Sequence, residues 1–250
     1  MNPFGFSFDR TILDEPHAFD AMAAPFFAPP RPEGGGVGCL VLHGIGGTPA
    51  NVRLVAEALA ARGCGVYAPL LPGHGRTVRA LAASTGDQWL RCAREGYDRL
   101  RAAGCGRIVP VGLSLGGILA GLLASERPCA ALVLISAPVR MRAYLHAARL
   151  IAPLVPAVRY PPSDGEKLKK KLPYGQMYAG FAPGKLADLY RLIRQLRRRL
   201  PRIACPVLAL VGEKDVQVPP SVVELPLREG INPAADLTVK VYPDLNHLFQ

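Results

Sequence analysis

From residue 37 onward, short apolar runs alternate with longer amphipathic stretches. Near-continuous apolar runs are typical of strands buried on both faces, and the stretches between them have helical periodicity. The predicted strands are Val37–Leu42, Gly65–Ala68, Arg107–Val111, Ala131–Ile135, Val207–Val211 and Leu237–Tyr242. The predicted helices are Ala50–Ala61, Gly86–Ala102, Leu115–Ser125 and Pro183–Leu200. This alternation predicts an α/β fold with a mostly parallel sheet of about six strands and helices on both faces.

Two features do not follow this pattern. Residues 1–36 contain prolines and a triple glycine that interrupt regular elements, so we predict an irregular N-terminal extension in which 9–24 could hold a strand or a short helix. Pro110 lies inside a predicted central strand, where a proline removes a ladder hydrogen bond. The strand prediction therefore requires that the missing N–H faces a weakly paired part of the sheet.

The most informative motif is Gly-Leu-Ser-Leu-Gly-Gly at 112–117, between a predicted strand and a predicted helix. G-x-S-x-G in this context is typical of a nucleophile elbow, a tight turn that exposes a serine hydroxyl above the sheet. Gly112 and Gly116 supply the missing side chains that such a turn needs. Ser114 is therefore the candidate nucleophile.

A serine nucleophile needs a base and a carboxylate that orients the base. Asp215 follows the strand Val207–Val211, and His247 follows the strand Leu237–Tyr242 after a short loop. Carboxyl ends of parallel strands meet at one edge of a sheet, where open α/β sheets build their sites. We therefore predict a triad of Ser114, Asp215 and His247.

Other residues compete for these roles. Asp244 lies three residues before the candidate base and could also reach it. His43 and His74 lie in glycine-rich turns, where a bracing role is the more common one. Ser136 also ends a predicted strand, but it lacks flanking glycines, so we interpret it as structural.

A second glycine-rich turn, His-Gly-Ile-Gly-Gly-Thr at 43–48, follows the first core strand. Such a turn lets backbone N–H groups point at a developing negative charge. We expect the amides of Ile45 and Leu115 to form an oxyanion hole. The Leu115 amide also begins a helix, where the helix dipole favours negative charge.

Taken together, these motifs resemble the α/β-hydrolase superfamily, and within it the branch of small bacterial carboxylesterases and monoacylglycerol lipases. The matching motifs, which span Val37 to His247, are HGIGG at 43–47, LPGHG at 71–75, GLSLGG at 112–117, GEKD at 212–215 and NH at 246–247. The resemblance implies an α/β-hydrolase fold, the same triad and oxyanion donors, and cleavage of short to medium acyl esters or monoacylglycerols without a metal or organic cofactor.

The net charge of +11 is concentrated in one segment. Half of the 30 Lys and Arg residues lie between 139 and 202, where only three acids occur. The family places its cap in this interval, so we expect a core of 37–138 and 203–250 with a small basic cap insertion at 139–202 that includes the helix leading back to the core. A basic rim could attract an anionic substrate or a membrane surface, although arginines opposite an apolar stripe are usually only a solvated face.

Alternative functions remain open at this point. A basic cap would suit an acyl-CoA thioesterase or a lysophospholipase, and some proteins of this fold are non-catalytic binding modules. Apolar cap residues at 143–145, 150–155 and 177–178 could line an acyl pocket or form the cap core. Nucleic-acid binding is not expected, because no recognition motif is present.

Composition fits one globular α/β domain. Half of the 250 residues are hydrophobic, and the six cysteines are scattered without a C-x-x-C pair, which favours reduced thiols in a cytoplasmic protein over a metal site. The first residues lack a basic region followed by an apolar core, so we expect no secretion signal. The chain ends three residues after His247, where the family usually adds a helix, and the N-terminal extension could brace the histidine loop instead.

Overall fold

A computed structural model of the chain describes residues 7–15, 21–141, 154–159, 178 and 180–247. The strands within these ranges are β1 (Ser7–Phe8), β2 (Phe26–Ala28), β3 (Val37–Leu42), β4 (Gly65–Ala68), β5 (Arg107–Leu113), β6 (Leu132–Ile135), β7 (Val158–Arg159), β8 (Gly180–Phe181), β9 (Val207–Gly212) and β10 (Leu237–Tyr242). The α-helices are α1 (Arg53–Ala61), α2 (Val78–Ala83), α3 (Gly86–Ala102), α4 (Leu115–Ala124), α5 (Lys185–Arg199) and α6 (Glu224–Gly230).

The core is a sheet with the strand order β10-β9-β6-β5-β3-β4-β2. Its first six strands are parallel to their neighbours, and β2 pairs antiparallel with β4 at one edge. The six parallel strands are those that the apolar runs predict, so the predicted α/β fold with a mostly parallel sheet is confirmed.

The N-terminal extension is more regular than the sequence predicts. Phe26 in β2 faces Ala68 of β4, so part of the predicted irregular region 1–36 is the seventh strand of the sheet. Prolines at 25, 29 and 30 flank this short strand, and edge strands tolerate proline because one side makes no ladder bonds. The short helices α2 and α6 were also not predicted.

Pro110 fits into β5 because of where its neighbours begin to pair. The Ser114 N–H donates to the Ile135 carbonyl of β6 at 2.8 Å. Because every second N–H along a strand points to the same side, the nitrogen of Pro110 also faces β6. The register between the two strands begins only at Val111 opposite Val133. The missing N–H therefore lies just before the ladder starts, as the strand prediction required.

Helices cover the sheet, and α4 is buried along its whole length. Gly121 of α4 lets α5 approach closely, since a Cβ there would lie 2.7 Å from Cδ1 of Leu196. The inward face of α5 carries Leu192, Ile193 and Leu196, all buried, and its opposite face carries arginines. This separation of apolar and basic faces is the one that the helical spacing predicts.

A second, three-stranded sheet joins the N-terminal segment to the cap interval. Strand β1 pairs antiparallel with β7, which pairs antiparallel with β8. Asp9 accepts a hydrogen bond from Arg159 at 2.6 Å, and Ile12 is fully buried. The described N-terminal strands therefore pair with β7, which lies in the 139–202 interval, and with β4 of the main sheet. Since β2 and β10 form opposite edges of that sheet, β2 is not a brace for the histidine loop, which follows β10.

Within the described ranges, no helix is both long and apolar enough to cross a membrane. The six cysteines are all unpaired, and two of them, Cys39 and Cys105, are buried. Burial, the largest cause, raises the pKa of Cys39 to about 12, which disfavours the nucleophilic thiolate.

Candidate active site

Ser114 lies on a sharp turn between β5 and α4. Its backbone has φ 53° and ψ −114°, a conformation that costs a non-glycine residue free energy and persists only where the surroundings enforce it. The Ser114 carbonyl accepts from the Gly117 N–H at 3.0 Å, which begins the first turn of α4. The turn therefore has the backbone strain that a nucleophile elbow requires.

The glycines of the motif are required by close backbone approach. A Cβ on Gly112 would lie 2.2 Å from the carbonyl carbon of Gly116, and a Cβ on Gly116 would lie 2.1 Å from the Leu42 carbonyl oxygen. A Cβ on Gly117 would lie 2.4 Å from Cβ of Ala137. Helix α4 can begin directly above the sheet only because these positions carry no side chain.

Asp215 and His247 are hydrogen-bonded to each other. Nδ1 of the histidine lies 2.7 Å from Oδ2 of the aspartate, which is 1% exposed. The other carboxylate oxygen accepts the backbone N–H groups of Gln217 at 3.0 Å and Val218 at 2.7 Å. A buried carboxylate is stable when its lone pairs are filled in this way. Because an ionised carboxylate only accepts, Nδ1 carries the proton and donates it.

The loop that carries His247 packs directly on the end of β9. A Cβ on Gly212 would lie 2.3 Å from the Leu245 carbonyl oxygen, so only glycine allows this contact. The Lys214 N–H donates to the same carbonyl at 3.1 Å. Asp244, the competing carboxylate, has an exposed side chain and pairs with Nζ of Lys214 at 2.9 Å. Asp215, and not Asp244, is therefore the carboxylate that contacts the histidine.

Ser114 and His247 make no hydrogen bond with each other in the structure, which describes both residues. Both nevertheless follow the carboxyl ends of strands in one sheet, with β6 and β9 between β5 and β10. Bonds between a catalytic nucleophile and its base often tighten only when substrate binds. The serine is half-buried, as the histidine is, so solvent reaches both.

The turn at 44–47 lies beside the serine. A Cβ on Gly44 would lie 3.4 Å from Cβ of Ser114. The Gly47 N–H donates to the Gly44 carbonyl at 3.2 Å, and Gly46 has φ 71°, which favours glycine at this position of the turn. Within the described residues, the Ile45 amide donates no backbone hydrogen bond, which leaves it available to a ligand.

The Leu115 amide is at the first position of α4, where no intrahelical carbonyl can accept it. It directly follows the serine and begins a helix, so the helix dipole adds positive potential there. The two amides that the sequence predicts as oxyanion donors, those of Ile45 and Leu115, therefore lie in backbone segments that adjoin Ser114.

His43 and His74 are both buried and neutral. His43 donates from Nδ1 to the Gly44 carbonyl at 2.9 Å and accepts the Leu71 N–H on Nε2 at 3.0 Å, so it links the two loops that follow β3 and β4. Burial, followed by the neighbouring His74, holds the pKa of His43 well below its usual value. Burial also lowers the pKa of His74 to about 4. Both histidines therefore hydrogen-bond to loop backbone, which is the structural role that the sequence favours.

Ser136 is the second non-glycine residue with positive φ among those described, at 44°. It is fully buried at the end of β6, and its hydroxyl finds no partner in the described part of the chain. A buried hydroxyl without a base is a poor nucleophile. The structure therefore keeps Ser136 away from solvent, whereas Ser114 is half-buried.

The apolar cap residues lie largely outside the described residues, including 143–145, 150–153 and 177. Leu154 is 82% exposed, so it forms neither a pocket wall nor a cap core in the described part. Tyr178 is 3% exposed and hydrogen-bonds to the loops after β3 and β4. No local sequence pattern predicts this role, because the side-chain partners of Tyr178 lie more than a hundred residues away.

The described basic residues of the cap interval lie mainly on α5, and Arg191 in the middle of this helix hydrogen-bonds to Asp87 in the first turn of α3. Arg199, at the end of α5, hydrogen-bonds to Glu126, which follows the C-terminus of α4. Since α4 begins at Leu115, directly after Ser114, and rises about 1.5 Å per residue, the Arg199 end of α5 is about 15 Å or more from the serine. The four lysines at 167 and 169–171 lie outside the described residues.

No cluster of three or more His, Cys, Asp or Glu side chains that could hold a metal ion occurs in the ranges described. The described groups at this edge of the sheet are a strained serine, a carboxylate hydrogen-bonded to an imidazole, and backbone amides. This donor set matches nucleophilic catalysis by a serine.

Comparisons with known proteins identify the family of this chain. A model of the alpha/beta hydrolase family matches residues 39–250. The thermostable monoacylglycerol lipase of Bacillus sp. (strain H-257) is 36% identical over 209 residues, which are 83% of this chain and 80% of the relative. The carboxylesterase of Bacillus subtilis (strain 168) is 33% identical over 116 residues, which are 45% of this chain and 47% of the relative.

A solved structure from work on LipS and LipT, two metagenome-derived lipolytic enzymes, has a TM-score of 0.78 and 26% identity to this chain. The match covers 92% of this chain and 91% of that one. The resemblance drawn from the motifs is confirmed: the chain belongs to the alpha/beta hydrolase family.

Proposed function

We propose that the protein hydrolyses carboxylic esters through a Ser114–His247–Asp215 triad and an acyl-enzyme intermediate. The observation that carries this proposal is the 2.7 Å hydrogen bond between the buried Asp215 carboxylate and Nδ1 of His247, at the sheet edge where the strained Ser114 turn emerges. The bond fixes the proton on Nδ1, which leaves Nε2 unprotonated and able to act as a base.

In this mechanism Ser114 attacks the ester carbonyl while Nε2 of His247 takes the hydroxyl proton. The imidazolium that forms is stabilised by the ionised Asp215, whose second oxygen is held by two backbone N–H groups. The histidine then gives the proton to the leaving alcohol. Water attacks the acyl-enzyme in the second half, with the histidine as base again, and releases the carboxylic acid.

The tetrahedral oxyanion is bound by the amides of Ile45 and Leu115. Each such donor usually contributes about 3 kcal/mol to stabilisation of the transition state. Backbone amides suit this role because they are fixed before the substrate arrives. Gly44 brings this turn against the serine, since a Cβ there would lie 3.4 Å from Cβ of Ser114.

Short to medium acyl esters and monoacylglycerols are the proposed substrates, on the basis of relatives named as a monoacylglycerol lipase and a carboxylesterase. The thioesterase and lysophospholipase alternatives depended on a basic rim at the site. Arg199 of α5 lies toward the far end of α4, whereas Arg191 pairs with Asp87 in the first turn of α3, so the comparison of an acyl-CoA with neutral esters decides between these functions.

The test compares wild type, Ser114→Ala and Ser136→Ala on 4-nitrophenyl esters with acyl chains of different length, a monoacylglycerol and an acyl-CoA. We expect Ser114→Ala to lose at least about 10⁴-fold in kcat and Ser136→Ala to retain it. Ester hydrolysis by Ser114→Ala at the wild-type rate would refute the nucleophile assignment. Higher activity on the acyl-CoA than on every neutral ester would instead establish the thioesterase alternative.

A further inference from the structure

Tyr178 joins two loops that follow neighbouring strands of the sheet. It belongs to the cap interval but is 3% exposed. Its hydroxyl donates to the Gly73 carbonyl at 3.2 Å and accepts the Arg76 N–H at 3.2 Å. Its own backbone N–H donates to the Gly46 carbonyl at 3.4 Å. One residue therefore holds the loop after β4 with its side chain and the loop after β3 with its main chain.

The loop after β4 is a rigid support for the phenol. Nε1 of Trp89 donates to the Pro72 carbonyl at 3.0 Å, and the indole is fully buried. Gly73, with φ 79°, packs so closely that a Cβ there would lie 2.6 Å from the Ala80 carbonyl oxygen. The segment that carries the Gly73 carbonyl, which accepts the Tyr178 hydroxyl, therefore contacts the indole at Pro72 and the backbone of α2 at Gly73.

The loop after β3 is the turn that carries the Ile45 amide. The ring of Tyr178 packs against this turn, since a Cβ on Gly46 would lie 3.7 Å from Cδ2 of the tyrosine. His43 ties the same turn to Leu71 through a bond inside the core. Without Tyr178, the turn would keep this buried bond and lose its contacts to the cap residue.

We propose that Tyr178 is a positioning residue that fixes the 44–47 turn, and with it the Ile45 amide, relative to Ser114. This inference rests on the proposed ester hydrolysis and on the role of Ile45 as an oxyanion donor. A cap residue thereby takes part in forming the oxyanion hole. The position of the cap at Tyr178 and the catalytic efficiency of the core are coupled through the Gly46 carbonyl.

The test uses Tyr178→Phe and Tyr178→Ala, with Tyr97→Phe as the matched control. Tyr97 is also a buried tyrosine whose hydroxyl donates to a backbone carbonyl, that of Pro128 at 2.8 Å, but it lies on α3 and this bond reaches the segment before β6. Each Phe variant removes one phenolic hydroxyl that donates to a backbone carbonyl. The Tyr178 hydroxyl also accepts the Arg76 N–H, so Tyr178→Phe should lower Tm somewhat more than Tyr97→Phe. The readouts are kcat and KM on a 4-nitrophenyl ester, and inhibition by a trifluoromethyl ketone, which forms a tetrahedral adduct.

We expect Tyr178→Phe to lower kcat about tenfold and Tyr178→Ala about 100-fold, because a small displacement of a donor has a large effect on rate. KM should stay within about twofold, and inhibition by the ketone should weaken in parallel with kcat, since both depend on the oxyanion donors. Tyr97→Phe should keep the wild-type kcat.

The proposal is overturned if kcat of both Tyr178 variants equals that of Tyr97→Phe. It is also overturned if KM rises while kcat is unchanged, because the tyrosine would then contact substrate and not position a donor. Ser114→Ala, assayed in parallel, separates this failure from failure of the proposed function. If that variant is inactive, the ester hydrolase stands and only the role of Tyr178 falls.

Discussion

Replacement of Asp215 by Asn tests the triad, because it keeps the shape of the side chain and changes only one oxygen into an NH₂ group. The side chain of Asp215 is buried, and the two backbone N–H groups of Gln217 and Val218 face one of its oxygens. If the Asn amide nitrogen faced these donors, both would be left unsatisfied, at about 1–3 kcal/mol each. The Asn oxygen therefore stays on the two N–H groups, and its NH₂ faces His247.

This orientation reverses the tautomer of His247. The NH₂ group is a donor, so Nδ1 of the histidine must accept, and the ring proton moves to Nε2. A histidine protonated on Nε2 cannot take the proton of Ser114. Loss of the correct tautomer in Ser-His-Asp triads lowers kcat by about 10⁴, which corresponds to about 5 kcal/mol of transition-state stabilisation.

The assay is steady-state hydrolysis of 4-nitrophenyl butyrate, with Tm measured by circular dichroism. We expect Asp215→Asn to lose about 10⁴-fold in kcat and only about 3–6 °C in Tm, which corresponds to about 1–2 kcal/mol. Asp244→Asn is the matched control, since its exposed carboxylate pairs only with Lys214 among the described residues. Near wild-type activity of Asp215→Asn, together with a large loss in Asp244→Asn, would refute the assignment.

Three further predictions concern the surroundings of the site. Gly212→Ala places a methyl group 2.3 Å from a carbonyl oxygen of the histidine loop, so kcat should fall at least about tenfold. Gly106→Ala, which has open space around its Cβ, should retain the wild-type kcat. Equal kcat values for the two variants would contradict this prediction. Burial lowers the pKa of His74 from 6.5 to about 4, so its stability contribution is complete above about pH 6.5 and is lost as pH falls toward 4. His74→Gln should therefore flatten the pH dependence of urea unfolding by about 3 kcal/mol over this window, and parallel curves would exclude the effect. Lys185→Met should lower the free energy of unfolding in urea by about 2 kcal/mol, because it leaves the half-buried Asp188 without its 2.8 Å partner; an unchanged value would show that the pair contributes nothing.

The parts of the fold that the sequence predicts are those specified locally. The parallel strands are continuous apolar runs, and such runs are recognisable because both faces of each strand are buried. The Ser114 elbow is also local, since its strain, its glycines and its helix all lie within one short segment. Asp215 and His247 could be predicted because each closely follows a strong strand.

The features that the sequence does not predict depend on contacts between segments that are distant along the chain. Strand β2 is short and lies among prolines, and only its pairing with β4 makes it a strand. The role of Tyr178 rests on hydrogen bonds to residues more than a hundred positions away, and no local pattern encodes them. Half of the basic residues lie in 139–202 of the sequence, but sequence alone does not show that the end of α5 lies beside the end of α4.

The central claim is that Ser114 is the nucleophile, and the most direct measurement is the site of covalent modification by a fluorophosphonate. The tryptic peptide to analyse spans residues 108–140, since Arg127 precedes a proline, and it contains Ser114, Ser125 and Ser136. Fragmentation by tandem mass spectrometry should locate the phosphonyl group on Ser114 in the wild type, with no modification of Asp215→Asn on the same time scale. A phosphonyl group on Ser136, or on any residue outside this peptide, would contradict the account.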